Sequence, residues 1–163
     1  MINTPSDEDS PVHFKDRDTG ITNLYFTRFD GPGGTFENPD QDYNIYVSTL
    51  REDGSFGPGV LVPELNSRFR DTRMAIRSDG LEMILTSSRP GAGFPGLNLW
   101  VATRASTLGR WSTPAPLGIN SGFNDRGPAL SFDGETLYFA SRRPGGSGKS
   151  DLWMATRIEL EHG

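Results

Sequence analysis

A carboxylate and an arginine return at matching positions along this 163-residue sequence. Asp71 closes the segment Asn66-Ser67-Arg68-Phe69-Arg70-Asp71, Asp125 closes Asn120-Ser121-Gly122-Phe123-Asn124-Asp125, and Glu8 stands in a diverged opening copy. Arg89 and Arg143 sit in Ser-x-Arg-Pro-Gly segments, with Arg28 as the opening counterpart. Carboxylates gathered from different segments could hydrolyse a glycosidic bond, one protonating the leaving oxygen while the other acts as base or nucleophile. Arginines could bind an anion through their planar fork. The plainer reading is a structural ladder, each Arg forking onto a carboxylate or loop carbonyl, because a ligand site breaks a repeat and these residues obey it. Unit-specific residues are therefore the better functional candidates: Arg68, Arg70, Arg73 and Arg126, and the acidic insertion from Asp30 to Asp42. Asp30, Glu37, Asp40 and Asp42 offer hard oxygen ligands for calcium. Their spacing matches no defined calcium loop, so they are weak metal candidates and no cofactor is expected.

Other chemistries are poorly supported. The chain has no Cys, which removes thiolate metal sites, cysteine nucleophiles and disulfides. His13 and His162 are its two histidines, and neither lies near a Ser in a nucleophile motif. The segment Gly145-Gly146-Ser147-Gly148-Lys149-Ser150 ends like a phosphate-binding loop, but Arg143 occupies the first Gly position and the following Asp151–Arg157 reads as a strand. A phosphate loop needs the unpaired amides of a helix N-terminus there. A net charge of −5 without a Lys/Arg-dense run argues against nucleic acid. No apolar stretch approaches the roughly 20 residues that a spanning helix requires, so no membrane insertion is expected. The segment from Met1 to Asp9 has neither the basic flank nor the apolar run of a signal peptide.

The elements that position these residues come from self-comparison. The second and third copies are 54 positions apart at Asn66 and Asn120. Each continues through Asp-Gly (Asp79-Gly80, Asp133-Gly134), an apolar burst (Met83-Ile84-Leu85, Leu137-Tyr138-Phe139) and a Leu-Trp segment ending in Ala-Thr-Arg. Such units cannot bury their faces alone and must stack. Short β-branched and aromatic bursts punctuated by Asp-Gly and Pro-Gly predict four strands per unit. In the middle unit these lie near Arg73–Arg77, Leu81–Ser87, Asn98–Arg104 and Trp111–Leu117. The expected fold is all-β, a β-propeller of four-stranded blades with about three blades in the chain. Its units are 1–65, 66–119 and 120–163, the last truncated after its third strand. Tyr46, Trp100 and Trp153 fall at equivalent third-strand positions and are expected to pack between blades. Alternating strand direction puts Glu8, Asp71, Asp125, Arg28, Arg89, Arg143, Arg73 and Arg126 at one loop face, where a ligand would bind.

The sentence Ser-x-Asp-Gly…Leu-Tyr-Phe-x-Ser-x-Arg-Pro-Gly-Gly…Asp-Leu-Trp resembles the WD-like β-propeller repeat, the TolB-type blade of the Tol system's periplasmic propeller protein and of many envelope proteins. The resemblance covers almost the whole chain. It implies a propeller, a periplasmic or envelope setting, and a non-catalytic scaffold that presents its loop face to a protein or peptide. The alternative is a hydrolase or lyase acting on carbohydrate or peptide, or an accessory propeller of one. Three blades cannot close a ring, so the chain is expected either to pair with a second copy, three blades with three, or to form part of a longer propeller.

Overall fold

The computed structural model describes residues 2–30 and 43–157. Their strands are β1 (Glu8–Lys15), β2 (Thr22–Phe29), β3 (Tyr43–Thr49), β4 (Val60–Leu61), β5 (Asp71–Ile76), β6 (Glu82–Ser87), β7 (Asn98–Thr103), β8 (Ala115–Pro116), β9 (Arg126–Leu130), β10 (Thr136–Ser141) and β11 (Asp151–Thr156). They form antiparallel sheets ordered β1-β2-β3-β4, β5-β6-β7-β8 and β9-β10-β11. Each sheet is one blade, and the innermost strands β1, β5 and β9 lie side by side. The chain is thus an all-β propeller portion of about three blades.

The Asp-Gly pairs make the inner hairpins. Gly80, at φ 73°, donates its amide to the Arg77 carbonyl at 2.8 Å, while the Asp79 carboxylate accepts the Leu81 amide at 2.9 Å. Gly134, at φ 75°, and Asp133 repeat the arrangement around Ser131 and Glu135. Positive φ is accessible to Gly and costly for a residue with a Cβ. At Gly80 an added Cβ would also lie 2.2 Å from the Phe14 ring, so this turn and blade 1 are fitted to each other.

Two apolar layers hold the blades together. Tyr25, Ile45, Val62 and Leu65 of blade 1 pack on Met74, Met83, Leu85, Trp100, Ala102 and Trp111 of blade 2. Ile84, Leu99 and Leu117 of blade 2 pack on Leu137, Phe139 and Ala155 of blade 3. Trp100 and Trp153 join these inter-blade layers.

An asparagine clamps each junction. Asn66 accepts the Ile45 amide at 2.7 Å and donates to the Ile45 and Val62 carbonyls at 2.8 and 2.9 Å. Asn120 does the same to Leu99 and Leu117, at 2.7, 2.9 and 2.8 Å. The Asn that opens each repeat therefore satisfies the outer edge of the preceding blade's third strand, where backbone groups would otherwise lack partners.

The outer strands are shorter than expected. The segment read as Trp111–Leu117 pairs only at Ala115–Pro116. Trp111 turns into the core against Tyr25, ring centroids 6.4 Å apart, and Pro114 and Pro116 have no amide to continue a ladder.

Candidate functional site

The recurring acids and arginines form a closed ladder. The Asp71 side chain, fully buried, accepts hydrogen bonds from the Ser67 amide and hydroxyl, the Ser87 hydroxyl at 2.6 Å and Arg89. Arg89 also donates to the Leu65 carbonyl and to Ser87. In blade 3, Asp125 accepts from Ser121 and, at 2.8 Å, from Arg143, which also donates to the Ile119 carbonyl and Ser141. Blade 1 substitutes Glu8, which accepts from Thr4 and, at 3.1 Å, from Arg28, itself donating to the Ile2 carbonyl. Every guanidinium lies over a third-strand aromatic: Arg28 on Tyr46, Arg89 on Trp100 and Arg143 on Trp153, at 4.3, 5.5 and 5.3 Å from the ring centroids. Six of the eight residues singled out at the loop face, Glu8, Arg28, Asp71, Arg89, Asp125 and Arg143, thus hold each blade's entry loop to its own sheet. Arg28 lies within β2, while Arg89 and Arg143 follow β6 and β10.

Burial works to raise the Asp125 carboxyl, but hydrogen bonds from Arg143, Ser141 and Ser121 outweigh it and hold the group below its ordinary 3.8. A depressed carboxylate contributes stability that is complete above the unfolded-state value and is lost as pH falls through the lower folded one. The protein is therefore expected to keep its stability down to about pH 4 and to lose it below. Denaturant midpoints measured between pH 6 and pH 2 check this, and a midpoint unchanged in Asp125→Asn relative to wild type over that fall would exclude Asp125 as a contributor.

The two remaining candidates, Arg73 and Arg126, occupy a different place. All three innermost strands carry a left-handed residue two positions after the ladder acid: Ser10 at φ 53°, Arg73 at 42° and Gly127 at 63°. Pairing registers shift beside each of them. Such bulges re-aim side chains at strand ends. Only blade 3 uses Gly, so Arg73 holds a conformation unfavourable to its type. Its side chain is exposed at the inner rim. Arg126 lies on the neighbouring inner strand, while Arg70 and Arg142 come from the entry loop of blade 2 and the loop after β10.

These four guanidiniums have no carboxylate within ion-pair distance among the described residues. Arg126 is held below the usual arginine range, first by burial and then by the charges of Arg73, Arg142 and Arg70. Arg70 lies 4.3 Å over the Tyr43 ring, and its Nε is buried without a hydrogen-bond partner. Burial pushes the Tyr43 phenol up against the pull of Arg70, with Asp9 and Asp7 adding to the rise and Arg73 opposing it. The rim thus concentrates positive charge on blades 2 and 3, beside two acids of blade 1.

Arg142 and Tyr43 escaped the sequence reading. The signal for Arg142 was present, because Ser88 stands at its place in the second unit and a departure from the repeat marks a unit-specific role. Arg68, by contrast, is exposed and stacks 5.1 Å over Phe69. Of the calcium candidates, Asp30 alone lies among the described residues. Asp30 accepts from Asn44 at 3.0 Å and from the Tyr46 hydroxyl at 2.7 Å, and Glu37, Asp40 and Asp42 lie outside the described residues. Tyr46 is pushed up to about 12, first by burial and then by its hydrogen bond to Asp30. No group of three or more His, Cys, Asp or Glu able to hold a metal ion occurs among the described residues.

No protein-family model and no curated protein matches the sequence. Among solved structures, the fold is similar to that of a thermostable family-43 glycoside hydrolase, with a TM-score of 0.63 and 16% identity over 95% of this chain and 56% of that one. It is also similar to the endo-arabinase from Bacteroides thetaiotaomicron VPI-5482, with a TM-score of 0.52 and 17% identity over 91% of this chain and 55% of that one. The chain thus spans little more than half the length of each, and at these identities the likeness is one of fold. The expectation of a non-catalytic scaffold for a protein or peptide is corrected here, because the propellers that the chain resembles are hydrolases of glycans by name.

Proposed function

We propose that the chain is part of a carbohydrate-acting propeller, a hydrolase or an accessory propeller of one, whose blades are of the WD-like type, and that its inner rim holds an acidic glycan. The observation that carries this reading is the convergence of Arg70, Arg73, Arg126 and Arg142 without carboxylate partners among the described residues. Like charges crowded together and partly desolvated oppose one another, and an arriving anion relieves that opposition. A sugar carboxylate matches the guanidinium fork, and the buried Tyr43 ring backs the Arg70 guanidinium from below. Glycoside hydrolysis needs two carboxyl groups across the bond. The ladder occupies Glu8, Asp71 and Asp125, so Asp9, whose side chain accepts only from Ser10 among the described residues, is the inner-strand acid left for such a role.

The test is calorimetric titration with uronic-acid oligosaccharides and with neutral ones of equal length, together with reducing-sugar release. Preferential binding of the acidic series is expected, weakening as salt rises. Arg73→Ala with Arg126→Ala should weaken it by about tenfold or more, since a hydrogen bond to a charged group contributes about 1.5–3 kcal/mol. Equal affinity for neutral sugars, or unchanged affinity in a folded double variant, would remove the rim from consideration.

A further inference from the structure

We infer that the cleft between the entry loop of blade 2 and the loop after β6 is a second subsite for the same glycan, where Phe94 stacks on a sugar ring and Arg68 meets a carboxylate of the chain. The inference rests on the reading of the rim as an acidic-glycan site. The cleft has a volume of about 650 Å³, and its walls include Phe69, Ser88, Pro90, Phe94 and Pro95. That size lies within the range of about 300–1,000 Å³ for ligand clefts. The cleft is continuous with the rim. Arg70 follows Phe69 in the chain, its amide donates to the Ser88 hydroxyl at 3.2 Å, and its carbonyl accepts the Ser88 amide at 3.0 Å.

Phe94 is 43% exposed, yet its loop is held from several sides. The fully buried Asn98 donates to the Phe94 and Gly96 carbonyls at 3.2 and 3.1 Å. Asn124 of blade 3 accepts the Leu97 amide at 2.9 Å, and the Asp125 amide donates to the Leu97 carbonyl at 2.9 Å. Gly122 leaves room for the ring, since a Cβ there would lie 2.9 Å from it. An aromatic ring held exposed in this way has little freedom left to lose on binding. Its negative face suits the C–H bonds on the apolar side of a pyranose. The loop also breaks the repeat. Its blade 3 counterpart, residues 144–150, is one residue shorter and has no aromatic, and Asp151, in the place of Asn98, accepts the Gly148 amide at 3.1 Å instead of donating to carbonyls.

The charge of the cleft complements the glycan. Arg68 lies 5.1 Å over Phe69, is exposed, and has no carboxylate within ion-pair distance among the described residues. No acid among the described residues lines the cleft. An acidic chain leaving the rim therefore meets a cation and an apolar ring together, with no carboxylate to repel it.

Calorimetric titration of the protein with a uronic-acid disaccharide and with the hexasaccharide tests this. Phe94→Ala is expected to weaken hexasaccharide binding by about fivefold, within the range for a lost ring contact, and to leave the disaccharide unchanged, while Phe94→Tyr keeps the wild-type affinity for both. Arg68→Gln should weaken the hexasaccharide most at low salt. Its side chain is exposed, so this variant serves if Phe94→Ala fails to fold, and unchanged affinity at every salt concentration overturns the inference. Equal loss for both lengths in Phe94→Ala would make the ring a support of the loop alone and overturns it too. A Phe94→Ala variant that binds both as the wild type does would leave the cleft to another occupant, such as a peptide, and overturns the inference while the rim reading stands. A wild-type protein that binds neither sugar removes the rim reading and this inference with it.

Discussion

Asp71→Ala is expected to destabilise the protein by about 4 kcal/mol, the range for removing one partner of a buried ion pair. The carboxylate is fully buried and takes four kinds of donor, the Ser67 amide and hydroxyl, the Ser87 hydroxyl and Arg89. Its loss strands the Arg89 guanidinium, 10% exposed, with the Leu65 carbonyl and Ser87 as its remaining acceptors. Desolvated charge, more than the lost attraction, sets the size of the effect. Asp125→Ala should therefore cost less, because the Arg143 side chain is 21% exposed and can be hydrated. Asp71→Ala with Arg89→Leu should recover part of the loss, since no charge is then left buried. Urea denaturation of the four proteins measures all three statements. A folded Asp71→Ala within about 1 kcal/mol of wild type, the spread of an exposed pair, would refute the ladder and return Asp71 to the list of ligand-binding residues.

The ladder was legible because its members are spaced as the repeat is spaced. Asp71 with Arg89 and Asp125 with Arg143 could be paired from sequence once the hairpin placed both on one face. The third-strand aromatics were legible on the same ground. What the repeat conceals is how one unit meets another: Asn66 and Asn120 stood out as landmarks, yet their partners Ile45 and Leu99 belong to the preceding unit and share no motif with them. Backbone conformation was equally hidden. Nothing in Arg73 declares a left-handed residue, and only its equivalence to Gly127 hints at one. The rim was half visible, because Arg70, Arg73 and Arg126 broke the repeat in a region already suspected, whereas Arg142 stood beside the ladder arginine Arg143 and was passed over. The outer strand was misjudged because Trp111 looks like strand but serves the core.

Asn120→Ala is expected to cost about 3 kcal/mol, because each buried polar group left without a partner costs about 1–3 kcal/mol. The substitution deprives the Leu99 amide of its acceptor and withdraws a donor from the Leu99 and Leu117 carbonyls. The Leu117 amide still reaches the Leu99 carbonyl at 3.0 Å, so that carbonyl is not orphaned and the amide carries most of the penalty. Asn120→Asp separates the two contributions. Its carboxylate can accept from the Leu99 amide but turns negative charge toward both carbonyls, so it should be worse than alanine near neutral pH and improve as acid protonates it. A clamp that merely fills space would give Asn120→Asp and Asn120→Ala equal losses at every pH. Because blades 2 and 3 meet through Asn120 and the layer of Ile84, Leu99, Leu137 and Phe139, loosening the clamp should raise hydrogen exchange first in β7 and β9 while the blade 1 junction stays protected. Uniform exchange across all three blades would mean that the blades unfold as one unit and that the junction has no stability of its own.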